Sequence, residues 1–195
     1  GDRRLPASAR RRAADQVRFS IESAARHEAK LIHDLIVEAA GSASPGQFYV
    51  NDLETLEHQM DSGFTLKAYA GRSLAGILHV HYPEPSQSHA QRVGDHFDAA
   101  DVAHMDIAAV LPEFRGYGLM ELLLIHAEEQ LEVNSQRFAL YATVAPGNAP
   151  SIRSFEFCGY ERVDDTNIHG IHQRHVFRKL LPHAAYRHAS APLQD

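Results

Sequence analysis

Cysteine is almost absent from this chain. Cys158 is the only one in 195 residues, so no internal disulfide can form, and a reducing, cytoplasmic setting is expected. Long apolar runs are also missing. None approaches the ~18 residues that a membrane span needs, and the start of the chain lacks the apolar core of a secretory signal. A basic body is the third absence. Five arginines (Arg3, Arg4, Arg10, Arg11, Arg12) and Asp2 fall within the first twelve residues, so of 19 basic and 25 acidic residues the remainder keeps 14 and 24. A body that acidic is a poor match for a nucleic-acid backbone. Neither nucleic acid nor membrane is therefore expected as a partner.

What is present fits one globular domain: 44% hydrophobic and 23% charged residues, with enough length to bury a full core. Residues 1–15 read as a flexible Arg-rich arm, 16–181 as the domain and 182–195 as a tail. Gln16 to Ser23 alternates like a half-buried strand. His27 to Ala40 carries Leu31, Ile32, Leu35, Ile36 and Ala39 at helical spacing. After a Gly/Pro/Ser loop, Ser42 to Val50, a second helix places Leu53, Leu56 and Met60 inward and stops at Gly63. Phe64 to Ala70 and Leu74 to Tyr82 read as a hairpin around Gly71-Arg72-Ser73. Pro83 to Ala100 is long and patternless, as lids and substrate loops often are. Asp101 to Val110 is a strand, followed by a helix to about Asn134 and an apolar strand, Arg137 to Val144. A short helix, Ala149 to Cys158, precedes two strands, Tyr160 to Val163 and His175 to Leu181, around a His-rich loop. The order is β-α-α-β-β-β-α-β-α-β-β, an α/β (α+β) mixed sheet. Only the strand-helix-strand unit from Asp101 to Val144 demands parallel pairing.

The centre of this order is Arg115-Gly116-Tyr117-Gly118, where a strand turns through glycines into a helix. Such a turn leaves backbone N–H groups free to hold phosphate. A dinucleotide fingerprint would need glycine where Glu121 stands, and a P-loop would need a Gly-Lys-Ser/Thr that the chain lacks. Instead Arg115-Gly116-Tyr117-Gly118-Leu119-Met120 resembles the pyrophosphate cradle of the GNAT acyltransferase superfamily, Arg/Gln-x-x-Gly-x-Gly/Ala, with Met120 where Gly or Ala is usual. Because the cradle works through backbone N–H groups, methionine changes its shape but removes no donor. About thirty residues on, the stretch from Asn148 through Phe155 to Gly159-Tyr160 resembles the second signature of the same superfamily.

The resemblance covers about residues 16–181 and implies an N-acetyltransferase. Acetyl-CoA would be its cosubstrate, an amine of a small molecule or peptide its acceptor, and a homodimer is allowed. Pantetheine would lie between two splayed strands against Ala108, Ala109 and Val110. The pyrophosphate would rest on N–H groups of Arg115, Gly116, Tyr117, Gly118, Leu119 and Met120, with Asn148, Ser151 and Phe155 along the rest of the cofactor. An N–H near Ala108 would stabilise the oxyanion. If the strand is regular, His104 and Asp106 alternate inward with Ala108 and Val110, and they match positions of general bases in the family. His104 is the first candidate base and Asp106 the second. Phe155 stands where the family often has an acidic tyrosine; Tyr141 or water could substitute.

The other groups carry less. His79-x-His81 and the run His169, His172, His175 bring neither Cys nor Glu at ligand spacing, so no metal site is expected. Cys158 reads as a packed thiol without an activating neighbour. Acceptor specificity is expected in the loops 42–50 and 83–100, which carry Phe48, Tyr49, His89, Asp95, His96, Phe97 and Asp98.

Overall fold

The computed structural model describes residues 17–43, 50–168 and 172–182. Its strands are β1 (Phe19–Ala24), β2 (Phe64–Ala70), β3 (Ser73–His81), β4 (Val102–Val110), β5 (Ala139–Val144), β6 (Glu161–Ile168) and β7 (His172–Leu180). Its helices are α1 (Ala29–Gly41), α2 (Leu53–Met60), α3 (His89–Arg92), α4 (Leu119–Asn134) and α5 (Ala149–Phe157). One seven-stranded sheet runs β1-β2-β3-β4-β5-β7-β6. Every neighbouring pair is antiparallel except β4 and β5.

The expected element order is reproduced, with two departures. α3 is one extra turn inside the long loop. β6 and β7 run through most of the stretch read as a His-rich loop. β6 is an edge strand of polar sequence, ERVDDTNI, so it lacks the apolar alternation by which strands are found. The arm expected over residues 1–15, and Phe48, Tyr49 and His169, lie outside the described residues.

Two apolar layers sandwich the sheet. α4 buries Leu119, Leu123, Leu124, Ala127 and Leu131, spaced to form one stripe, against Leu78, Val80, Ala103 and Met105. On the other face α1 and α2 contribute Ile32, Leu35, Ile36, Leu56 and Met60 against Ile77 and Ala109. Each fully buried leucine is worth roughly 1.5–3 kcal/mol relative to exposure, so the sheet is held firmly from both sides. That rigidity sets the position of β4, which is central in the sheet.

β4 carries the irregularity that matters. Its register against β3 shifts between His79/Val80: Val80 faces Met105 but His79 faces Ile107. Asp106 is therefore an extra residue, a bulge. Met105 packs with the α4 layer and Ile107 with the α1–α2 layer, although they are two apart. The expected alternation of His104 and Asp106 with Ala108 and Val110 fails for this reason. His104 faces His81, while Ala108 faces Leu78, which points to the α4 layer.

Candidate active site

β4 and β5 pair only over Val102–His104 and Ala139–Tyr141. Beyond that point they part, and among the described residues no strand lies beside the β5-facing backbone of β4 from Met105 to Val110. A cleft of about 580 Å³ opens at this divergence, lined by the strand end (Ala108, Ala109, Val110), the turn (Arg115, Gly116, Gly118, Met120) and α5 (Asn148, Ser151, Arg153).

Gly116 and Gly118 have φ of 83° and 76°, left-handed values that cost a side-chain-bearing residue roughly 1–2 kcal/mol. A Cβ at either position would meet nothing within 4 Å, so the backbone here is bare toward the cleft. Gly118 begins α4 without any side-chain cap. Its first N–H groups are thus directed outward with the positive end of the helix dipole behind them. Arg115 spends its guanidinium on the protein: Nε donates to the Val110 carbonyl at 3.1 Å and Nη2 to the Ala39 carbonyl at 3.2 Å. It braces the turn against the end of β4 and the end of α1, leaving its backbone to the cleft.

Asn148 caps α5, its Oδ1 accepting from the Ser151 N–H at 3.3 Å, and both residues line the cleft. Leu119 lines it while anchoring α4 in the core. Tyr117 is not among the cleft-lining residues. Phe155 is not either: it is buried, edge-on to Tyr160 and stacked on Phe177 at 5.9 Å. The reading of Phe155 as a cofactor contact fails because α5 turns that position into the core. Arg153 escaped the sequence reading. It is exposed and lines the cleft, and only its place one helical face away from Phe155 marks it out.

The two candidate bases are separated by environment. His104 is buried, and its Nε2 accepts the His89 backbone N–H at 3.1 Å while the His89 ring stacks on it at 4.0 Å. Burial pushes its pKa down to about 2, with His89 and His81 adding to the effect. A ring so placed does not collect protons from a substrate. Asp106, in contrast, is reached by solvent although protein surrounds it on most sides. That crowding raises its carboxyl above the ordinary carboxylate range, and His81 pulls the other way. The bulge puts it where β4 leaves β5, two residues before the cleft wall at Ala108.

Tyr141 is fully buried, and its hydroxyl donates to Asp95, which also accepts from Arg178 at 3.0 Å. Burial, then the Asp95 carboxylate, raise the phenol far above its ordinary value. It is a structural tie and not an acid for the cleft. The same contact pins the 83–100 loop, as do the His89–His104 bond and Phe97 set edge-on to Phe138. That loop is a packed segment and not a free lid. Cys158 is half-buried, and burial lifts its thiol to about 11, which leaves it protonated and inert.

The buried neutral histidines predict an acid weakness. His89 is held down to about 4, first by burial and then by Arg92, whereas an unfolded histidine titrates near ~6.5. Between those values the unfolded chain binds the proton and the folded one does not, so stability falls as pH drops through that window. For each such proton the slope is about 1.4 kcal/mol per pH unit. Urea midpoints from pH 6.5 to 4.5 should give a slope smaller by up to one proton in His89→Gln than in the native chain. Equal slopes would refute the assignment. The raised carboxyls of Asp106 and Glu128 act with the opposite sign, which is why the difference between the two chains is the quantity to read.

Comparison with known proteins gives one coherent picture. The family model described as "Acetyltransferase (GNAT) family" matches residues 30–160. No curated protein matches the sequence. Among solved structures, an acetyltransferase of the GNAT family from Streptococcus pneumoniae superposes with a TM-score of 0.60 at 18% identity, covering 84% of this chain and 99% of that one. The putative acetyltransferase yncA from Salmonella typhimurium, solved with its cofactor acetyl-CoA, gives 0.62 at 15% identity, covering 84% and 94%. RimL, a ribosomal-protein alpha-N-acetyltransferase in complex with coenzyme A, gives 0.62 at 12% identity, covering 85% and 95%. At these identities the structures establish a shared fold.

Proposed function

The chain belongs to the GNAT acetyltransferase family, and on that premise we propose that it moves an acetyl group from acetyl-CoA to a primary amine of a small molecule or peptide. The observation that carries this reading is the cleft at the β4–β5 divergence, walled by bare strand backbone on one side and by an uncapped helix start on the other. Pantetheine fits the gap as a substitute strand along Ala108 to Val110. The pyrophosphate fits the N–H groups from Gly116 to Met120, and Arg153 adds a cation at the rim. Tyr117 contributes its backbone and not its ring. The two relatives solved with acetyl-CoA and coenzyme A support the choice of cosubstrate.

In the reaction an ammonium acceptor gives its proton to Asp106, whose carboxyl lies above the ordinary carboxylate range and so holds a proton more readily than a free aspartate. The freed amine attacks the thioester carbonyl carbon. A β4 N–H near Ala108 holds the oxyanion, and collapse breaks the C–S bond. Neither Phe155 nor Tyr141 serves the departing sulfur as an acid, since both are committed to the core. A thiol of pKa ~8.5 leaves as thiolate, and the second proton, which the attacking nitrogen loses as the amide forms, passes to it through water. The acceptor approaches from the α1–α2 face, where Ile107 lines a second, small cavity with His33, Asn51 and Leu56.

The test is acceptor-dependent release of CoA thiol from acetyl-CoA across polyamines, aryl-amines, aminoglycosides and N-terminal peptides. Turnover with at least one amine is expected. Tight acetyl-CoA binding with no turnover on any member would replace the enzyme by a silent acyl-CoA-binding module, the alternative that Phe155 and Met120 keep open.

A further inference from the structure

Beside the cleft lies a group of side chains that the transfer reaction uses only in part. His79 and His81 alternate on β3 and so share a face, and the β4 bulge brings Asp106 to them from the neighbouring strand. One nitrogen of each histidine and one carboxylate oxygen all lie within 4.8 Å of one another. We propose that His79 Nε2, His81 Nδ1 and the Asp106 carboxylate bind a divalent transition-metal ion of the zinc class.

Three observations carry this. His79 is fully buried and its Nε2 has no hydrogen-bond partner, while the ring is fixed from its other side by a 2.8 Å hydrogen bond between Nδ1 and the Thr65 hydroxyl. An imidazole held at one nitrogen by a neighbouring hydroxyl, with the other nitrogen outside hydrogen-bond geometry, is arranged as metal-binding histidines are, although the Gln59 and Phe64 backbone also lies close to this ring. His81 Nδ1 is likewise buried and without a partner. A buried polar atom without a partner costs about 1–3 kcal/mol, and each of the two histidines that meet the carboxylate carries one. The donor set, two imidazoles and one carboxylate, supplies three ligands and leaves a fourth position open. Tetrahedral zinc ligands stand roughly 3.4 Å apart at zinc–ligand distances of ~2.1 Å, so closure asks for shifts on the order of 1 Å in rotamers. The sequence did not reveal this set, because the carboxylate reaches the histidine pair only through strand pairing at a bulge.

The ion binds whether or not the chain transfers acetyl groups. One consequence does rest on the acetyl-transfer reading: with Asp106 ligated, the base is occupied, and bound zinc inhibits turnover.

The experiment is titration of the full, chelator-treated chain with Zn²⁺ by calorimetry and with Co²⁺ by visible absorption. One tight equivalent is expected, with Co²⁺ bands of a four-coordinate nitrogen–oxygen site. Thr65→Val, which removes the hydroxyl bonded to His79 Nδ1, should weaken it by roughly 10- to 100-fold. His81→Gln and Asp106→Asn should each remove the tight equivalent, and circular dichroism confirms that both remain folded. The double variant His169→Ala/His172→Ala should keep it. The proposal is overturned if the native chain shows no tight equivalent, if His81→Gln and Asp106→Asn bind as the native chain does, or if the His169/His172 variant alone abolishes binding. Activity is read separately. Tight zinc without inhibition of a working enzyme contradicts the role of Asp106 as base and leaves the metal site standing.

Discussion

Gly118→Glu should abolish measurable binding of acetyl-CoA while leaving a folded protein. Two effects add at this position. Gly118 has φ of 76°, so any side chain costs about 1–2 kcal/mol of stability. The new carboxylate would also sit at the start of α4, where the pyrophosphate is to rest. Like charges facing one another in a binding site cost several kcal/mol, so Kd should weaken by on the order of 100-fold or more. Strain alone is separable from the charge effect by a second variant. Gly71 also has positive φ, 61°, with nothing within 4 Å of a Cβ, but it lies in the β2–β3 turn. Gly71→Glu should therefore lower the melting temperature comparably and leave acetyl-CoA affinity unchanged. If both variants bind acetyl-CoA as the native chain does, the helix start is only a turn.

Asp106→Asn should lower kcat by roughly 100- to 10,000-fold, the range of a lost general base, with acetyl-CoA affinity unchanged. The substitution keeps size and hydrogen-bonding reach but cannot take the ammonium proton. Its pH profile should differ as well. In the native chain activity should rise with pH through the raised carboxyl of Asp106, because a base works only when ionised. In the variant that limb disappears, and the remaining rise follows the acceptor's own ammonium. His104→Gln offers the contrast. Its ring is neutral across the working range and already bonded to the His89 N–H, so its loss should reduce stability and leave the pH limb in place. Full turnover in Asp106→Asn would remove the proton-transfer role from this site.

Much of the arrangement could be read from residues alone, and the misses share a cause. The turn was legible because its glycines, the apolar strand before it and the apolar stripe after it are all local in sequence. Asn148 was legible for the same reason, as a cap opens its own helix. The bulge was not, because β4 reads as a regular strand until its pairing with β3 is known. From that one residue follow the reversal of His104 and Asp106 and the gathering of His79, His81 and Asp106. Phe155 was misplaced because an aromatic on a short helix reads alike whether it faces a cleft or a core. The long loop read as patternless because its ties, Asp95 to Tyr141 and Arg178 and His89 to His104, join positions far apart in sequence. The polar edge strand β6 was misread because it needs no apolar face to pair with β7.

The central claim is that the β4–β5 divergence and the start of α4 together hold acetyl-CoA with its thioester near Asp106. A crystal structure of the protein with acetyl-CoA tests it most directly. The pyrophosphate should accept hydrogen bonds from backbone N–H groups between Gly116 and Met120. Pantetheine should run between β4 and β5 against Ala108 to Val110, with the acetyl carbon at the bulge. Acetyl-CoA bound elsewhere, or a cleft left empty at saturating ligand, would contradict the account.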